Sequence, residues 1–282
     1  MAIEEEKKNR AIELGVTQTG RPVSFSIDEP THIAIQGMTR SGKSATTYYF
    51  LSELAGHRGV EIHFLDITTL LAAPFNEVGA SGLSATGTRD ADQYLTVLET
   101  LLKRMNSRID ELSALKRDKI QSFSPAYPLQ VVVIEELPSL VCWLEDEDKV
   151  SGRKPAERNT PRFISMLRQL LAQGLKVGVM CLLIAQRFDA AVISGPARSN
   201  LGLRICLRVD DRDAVAMLFS DATSNHVDAI VSAPPGCGFL SSPTQRLAKV
   251  RLNYREYADY RSRVEACVHP NIDEHATRAQ SR

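Results

Sequence analysis

The chain has 282 residues, 43% of them hydrophobic and 24% charged, a globular profile with room for one large α/β domain or two small ones. Its 34 Lys and Arg offset 34 Asp and Glu, which excludes nucleic-acid binding by overall charge and leaves that role to a local basic surface. A charged N-terminus, MAIEEEKKNR, and the absence of any apolar run approaching about 18 residues argue against a signal peptide and an encoded membrane span. In chain order, PVSFSI (22–27) and HIAIQG (32–37) read as strands, and helical spacing follows from Ser44 to about Leu54. GVEIHFLDI (59–67) is a buried strand with Asp66 near its end, and the small, Gly-rich stretch 76–90 reads as a mobile loop. From Asp90 to Leu115, Leu95, Leu98, Leu102, Met105, Ile109 and Leu112 recur at helical spacing with a charged outer face.

LQVVVIEEL (129–137) is the longest β-branched run and ends in two carboxylates. The charged, Gly- and Pro-punctuated segment 143–161 reads as an exposed loop, and 161–174 as a helix with Gly174 as its C-cap. KVGVMCLLIAQR (176–187) and LRICLRV (203–209) are further strands, and the residues from about Pro270 read as a polar, frayed end. This alternation of strands and helices predicts an α/β fold with a mostly parallel sheet covered on both faces. The five cysteines never form a C-x-x-C pair, and Cys181 and Cys206 lie inside apolar runs, as core thiols of a reducing compartment do. A cytoplasmic protein is expected.

Gly37-Met38-Thr39-Arg40-Ser41-Gly42-Lys43-Ser44 matches G-x-x-x-x-G-K-[ST], and the match falls between a buried strand and a helix. In that setting the glycines let backbone N–H groups turn onto phosphates, and the helix contributes its positive end. The cradle extends to Ala45; Lys43 reaches the β- and γ-phosphates, and Ser44 sets its hydroxyl on Mg²⁺. ATP and Mg²⁺ are the expected cofactors. VVVIEE (131–136) then supplies a second strand bearing carboxylates, with Glu135 in the Mg²⁺ shell and Glu136 as general base toward the attacking water. Gln186 ends the 176–187 strand on the carboxyl side of the sheet, where an amide can sense the γ-phosphate.

The whole pattern resembles the motor domain of the FtsK/SpoIIIE family of DNA translocases. The likeness runs through GRPVSFSIDEPTHIAIQGMTRSGKS, LLKRMNSRIDEL, the stretch from LLAQGLKVGVMCLLIAQRF to LRICLRVDDRDAVAMLF, and PPGCGFL, covering about residues 15 to 252. It implies a RecA-like P-loop NTPase domain over 31–252, an N-terminal lead-in with a strand over 1–30 and a C-terminal tail over 253–282. Arg40 stands where the family often has Gly, Glu135-Glu136 where it has Asp-Glu, and no Asp-Pro-Lys follows Asp66. These departures look more like the transfer ATPases of bacterial mobile elements than like the cell-division members. With no anchor before the domain and about 30 residues after it, neither membrane insertion nor a winged-helix DNA reader is expected.

What the resemblance implies is an ATPase that works as a ring, a hexamer of this chain, on double-stranded DNA, with a trans arginine completing each site. Arg204 is the candidate finger, and Arg208 falls on the same strand face. Duplex DNA held in a lumen is contacted through its phosphates, which makes Arg153, Lys154, Arg187, Arg198 and Asn200 the candidate contacts. Plasmid or mobile-element transfer, with membrane-bound partner proteins, fits the departures noted. Two other readings stay open: a type VII protein-secretion motor, and a nucleotide-binding regulatory module with negligible turnover.

Overall fold

A computed structural model describes residues 10–188, 193 and 195–267. Its strands are β1 (Ala11–Thr17), β2 (Pro22–Ser26), β3 (Ile33–Gln36), β4 (Val60–Asp66), β5 (Ser81–Thr86), β6 (Leu129–Glu135), β7 (Val179–Ala185), β8 (Leu203–Leu207), β9 (Cys237–Ser242) and β10 (Gln245–Leu252). They form one sheet in the order β2-β1-β10-β9-β8-β3-β7-β6-β4-β5. From β8 to β5 every pairing is parallel, and β9, β10, β1 and β2 extend the β8 edge through antiparallel pairings. The helices are α1 (Lys43–Ala55), α2 (Ala73–Glu77), α3 (Ala91–Ala114), α4 (Leu137–Val150), α5 (Asn159–Gln173), α6 (Gly195–Ser199), α7 (Arg212–Leu218), α8 (Ser224–Val231) and α9 (257–267).

The central strands are apolar without alternation because both of their faces are covered. Along β6, Val131 and Val133 pack on one side with Phe50 and Leu54 of α1 and Tyr260 and Val264 of α9. Val132 and Ile134 pack on the other with Tyr94 and Leu98 of α3, Leu140 of α4 and Phe163 and Leu167 of α5. Cys181 and Cys206 are buried thiols, as their apolar settings predict, and burial pushes both up to about 12.

Three readings of the sequence are corrected. The 76–90 stretch contains β5, an edge strand paired with β4. Its smallness is a packing requirement: a Cβ on Gly82 would lie 2.6 Å from the His63 ring, whose Nδ1 accepts the Leu83 N–H at 2.8 Å. The segment 143–161 is not a loop throughout, since α4 runs to Val150, with Leu140, Val141 and Leu144 burying one face beneath its charged outer side. Asp148 continues that face and accepts the N–H groups of Asn159 and Thr160 at 2.7 and 2.9 Å, capping the start of α5. The residues after 252 are more than a tail, because α9 sets Tyr260 and Val264, both fully buried, into the core. The expected frayed end beyond Pro270 lies outside the described residues, and no described helix is long and apolar enough to cross a membrane.

Candidate nucleotide site

The strand order places β7 between β3 and β6, so the Gly37–Ser44 loop, Gln186 and the Glu135-Glu136 pair leave the sheet at one edge. The loop closes onto its surroundings through the main chain: Gly37 N–H donates to Ala185 O at 3.2 Å and Met38 N–H to Arg208 O at 2.8 Å. Gly42 caps α1 at φ 96°, and a Cβ there would come 2.7 Å from the Gly236 nitrogen. Only glycine fits both the left-handed backbone and that approach. Arg40 also adopts a left-handed φ of 63°, with its side chain exposed. That conformation accounts for the glycine preference at its position.

Lys43 is only 8% exposed, and its ammonium is paired with Glu136 Oε1. Burial lowers it to about 8 against the pull of the Glu135 charge. Glu136 reaches this partner because the chain turns at φ 48°, ψ 53° immediately after β6, a left-handed N-cap that ends the strand and starts α4. Glu135, still on the strand, lies beside Asp66 in register on β4. Burial first, then the Asp66 charge, raise it to about 7. Asp66 itself is fully buried, with Oδ1 accepting from Thr68 N, Thr68 Oγ1 and Thr69 N and Oδ2 accepting from Ala72 N, all between 2.9 and 3.0 Å.

Glu135 Oε2 is buried with no hydrogen-bond partner among the described residues. A carboxylate oxygen orphaned in this way fits a cation, and no cluster of three or more His, Cys, Asp or Glu among the described residues offers a complete cage. Such a sparse donor set suits Mg²⁺, which takes one or two carboxylates and otherwise water and substrate phosphates. Ser44 presents its exposed side chain at the second residue of α1.

Two buried polar residues have no role in the sequence reading. Gln36, at 0% exposure, ends β3 directly before Gly37. Its Nε2 donates to Ala214 O at 2.9 Å and its Oε1 accepts the Phe188 N–H at 3.1 Å, tying the loop's root to α7 and to the exit of β7. A polar residue closing an otherwise apolar strand was the available signal. Asp66 is the other, noted at its strand end without a function; its carboxylate organises the turn after β4 and sets the charge that Glu135 feels.

The remaining predicted residues fall in different settings. Gln186 is exposed at the end of β7, beside the loop. Arg204 donates to the carbonyls of Leu201, Leu218 and Arg198 at 2.8, 3.3 and 3.1 Å, so its guanidinium is engaged within the chain. Arg208, by contrast, has a buried Nε without a partner among the described residues. Arg153 joins Asp92 and Asn159, Arg187 pairs with Asp211, and Arg198 donates to Met217 O at 2.7 Å. Lys154 is exposed, and Asn200 is half-buried just after α6.

The FtsK/SpoIIIE family's sequence profile matches residues 1–233. This chain belongs to the FtsK/SpoIIIE family. Among curated FtsK/SpoIIIE relatives, the DNA translocase FtsK of Helicobacter pylori is 24% identical over 239 residues, covering 80% of this chain and 26% of that protein. The chain spans about a quarter of the length of the curated relatives it matches. Among solved structures, the pCW3 conjugation coupling protein TcpA, a monomer form with ATPγS, superposes with a TM-score of 0.71 at 18% identity over 91% of this chain and 70% of that one. EssC (ATPases 2 and 3) from Geobacillus thermodenitrificans gives 0.72 at 14% identity over 94% and 50%. These likenesses establish the P-loop ATPase fold expected from the sequence, a mostly parallel sheet with helices on both faces.

Proposed function

We propose that this FtsK/SpoIIIE-family chain is the ATP-hydrolysing motor unit of a double-stranded DNA translocase, acting as a cytoplasmic ring of six copies in plasmid or mobile-element transfer. The observation that carries the reading is the convergence of Lys43, Glu135 and Glu136 at the mouth of a phosphate loop in a chain whose curated relatives are DNA translocases. The motor unit comprises residues 31–252, with β1 and β2 added to its sheet edge and α9 to its core.

Lys43 and Glu136 satisfy one another. Incoming phosphates compete for Lys43, which frees Glu136 to accept a proton from the attacking water. Backbone N–H groups from Gly37 to Ala45 would hold the phosphates, and Glu135 with Ser44 would hold the metal. Mg²⁺, when bound, would supply neutralisation of the charge that develops on the phosphates. Gln186 senses the γ-phosphate from the end of the intervening strand. Of the two arginines, Arg204 on β8 and Arg208 just beyond its end, Arg208 is the freer to meet charge on a neighbouring subunit, since use of Arg204 requires release of three main-chain hydrogen bonds. Lys154 and Asn200, with Arg153, Arg187 and Arg198 once released from their partners, supply lumen contacts to DNA phosphates, and membrane-bound proteins position the ring.

ATP turnover with and without linear duplex DNA tests the assignment. We expect DNA to accelerate hydrolysis. A rate indifferent to DNA but raised by a secreted peptide identifies a protein-export motor instead, and ATP binding without turnover under either condition identifies a regulatory module.

A further inference from the structure

We infer that Tyr254 is the platform on which the base of the bound nucleotide stacks, an assignment that rests on the P-loop reading above. The orientation of a nucleotide along the loop follows from Lys43. Its ammonium reaches toward β6 and α4, where it meets Glu136, so the γ-phosphate end lies on that side of β3. The nucleoside hangs from the opposite, α-phosphate end. It therefore emerges toward β8, β9 and β10, on the other side of β3 in the sheet order.

The segment that follows β10 runs through that place. β8 and β10 are both antiparallel to β9, so β10 leaves the sheet at the same edge as the phosphate loop. Main-chain hydrogen bonds tie this exit to the loop: Gly236 N–H to Ser41 O at 2.8 Å, Leu252 N–H to Gly236 O at 2.9 Å, and Arg255 N–H to Ala45 O at 3.0 Å. Tyr254 is thus one residue from a direct contact with Ala45, where the cradle ends and the α-phosphate sits, with Cα atoms of adjacent residues about 3.8 Å apart.

The neighbours of Tyr254 are both turned to the protein. Asn253 Nδ2 donates to Glu13 O at 2.8 Å, and the Arg255 guanidinium pairs with Glu53 at 3.0 Å and lies over the Tyr49 ring. Tyr254 between them is 67% exposed, one residue along the chain from the main-chain contact with Ala45. An aromatic face there gains from a base whatever its identity, because every base has a π-surface to offer.

Calorimetric titration of the full chain with Mg²⁺-ATP and with Mg²⁺-tripolyphosphate separates base from phosphate recognition. Tyr254→Ala is expected to weaken ATP about tenfold while leaving tripolyphosphate unchanged, and Tyr254→Phe to bind both as the wild type does. ATP binding unaltered in Tyr254→Ala, or an equal loss of ATP and tripolyphosphate, overturns the assignment. A wild type that binds neither ligand overturns the P-loop reading itself, and the stacking role with it.

Discussion

Burial and the neighbouring Asp66 carboxylate lift Glu135 from 4.5 to about 7, so the protein resists placing a second negative charge beside the first. Between these two values the folded state holds a proton that the unfolded chain has released. Stability therefore falls as pH rises through this window, and the whole penalty is present above pH 7. Glu135→Gln removes it. In chelator and without nucleotide, the variant is expected to be more stable than the wild type by at most about 3 kcal/mol at pH 8, with the difference vanishing toward pH 4.5 in denaturant titrations. An advantage that grows on acidification contradicts the assigned origin of the strain. The phosphate-loop residues were legible because their spacing is local: Lys43 and Ser44 follow from one short pattern. Gln36 and Asp66 were not legible in role, because the groups they hold are fixed by the fold. Gln36 bonds to Ala214 and Phe188, far along the chain, and the Asp66 charge matters through its register with Glu135.

At the scale of elements, continuous apolar runs gave β3, β4, β6, β7 and β8 to within a few residues, since buried parallel strands have no solvent face to interrupt them. The edge is different. β5 carries Ser, Gly and Thr because it packs on one partner and against the His63 ring, and this composition imitates a loop. Gly82→Ala would drive a methyl to 2.6 Å from the ring and disturb the His63–Leu83 hydrogen bond. A loss of about 1–3 kcal/mol in denaturant titration is expected, with nucleotide affinity retained. A variant as stable as the wild type means that β5 leaves room at that position. The same confusion affected α4, where the acidic residues 145–148 read as loop although Leu140, Val141 and Leu144 bury the helix beneath them. In that case the charges mark an outer face, and Asp148 among them is buried because it caps α5.

For the whole molecule, the proposed ring places the base and the finger of one catalytic centre on different subunits. Glu136→Gln removes the base and is expected to lower turnover at least about 10²-fold, and Arg208→Ala removes the candidate finger. Mixed before assembly on DNA, the two inactive proteins regain part of the wild-type rate, because some interfaces pair an intact Glu136 with an intact Arg208. A mixture no more active than its components argues that Arg208 serves its own subunit. The central claim is motion along duplex DNA, and displacement of a triplex-forming oligonucleotide from a linear duplex measures it most directly. The account predicts ATP-dependent displacement by the wild type and none by Glu136→Gln; a wild type that hydrolyses ATP on DNA yet never displaces the third strand contradicts it.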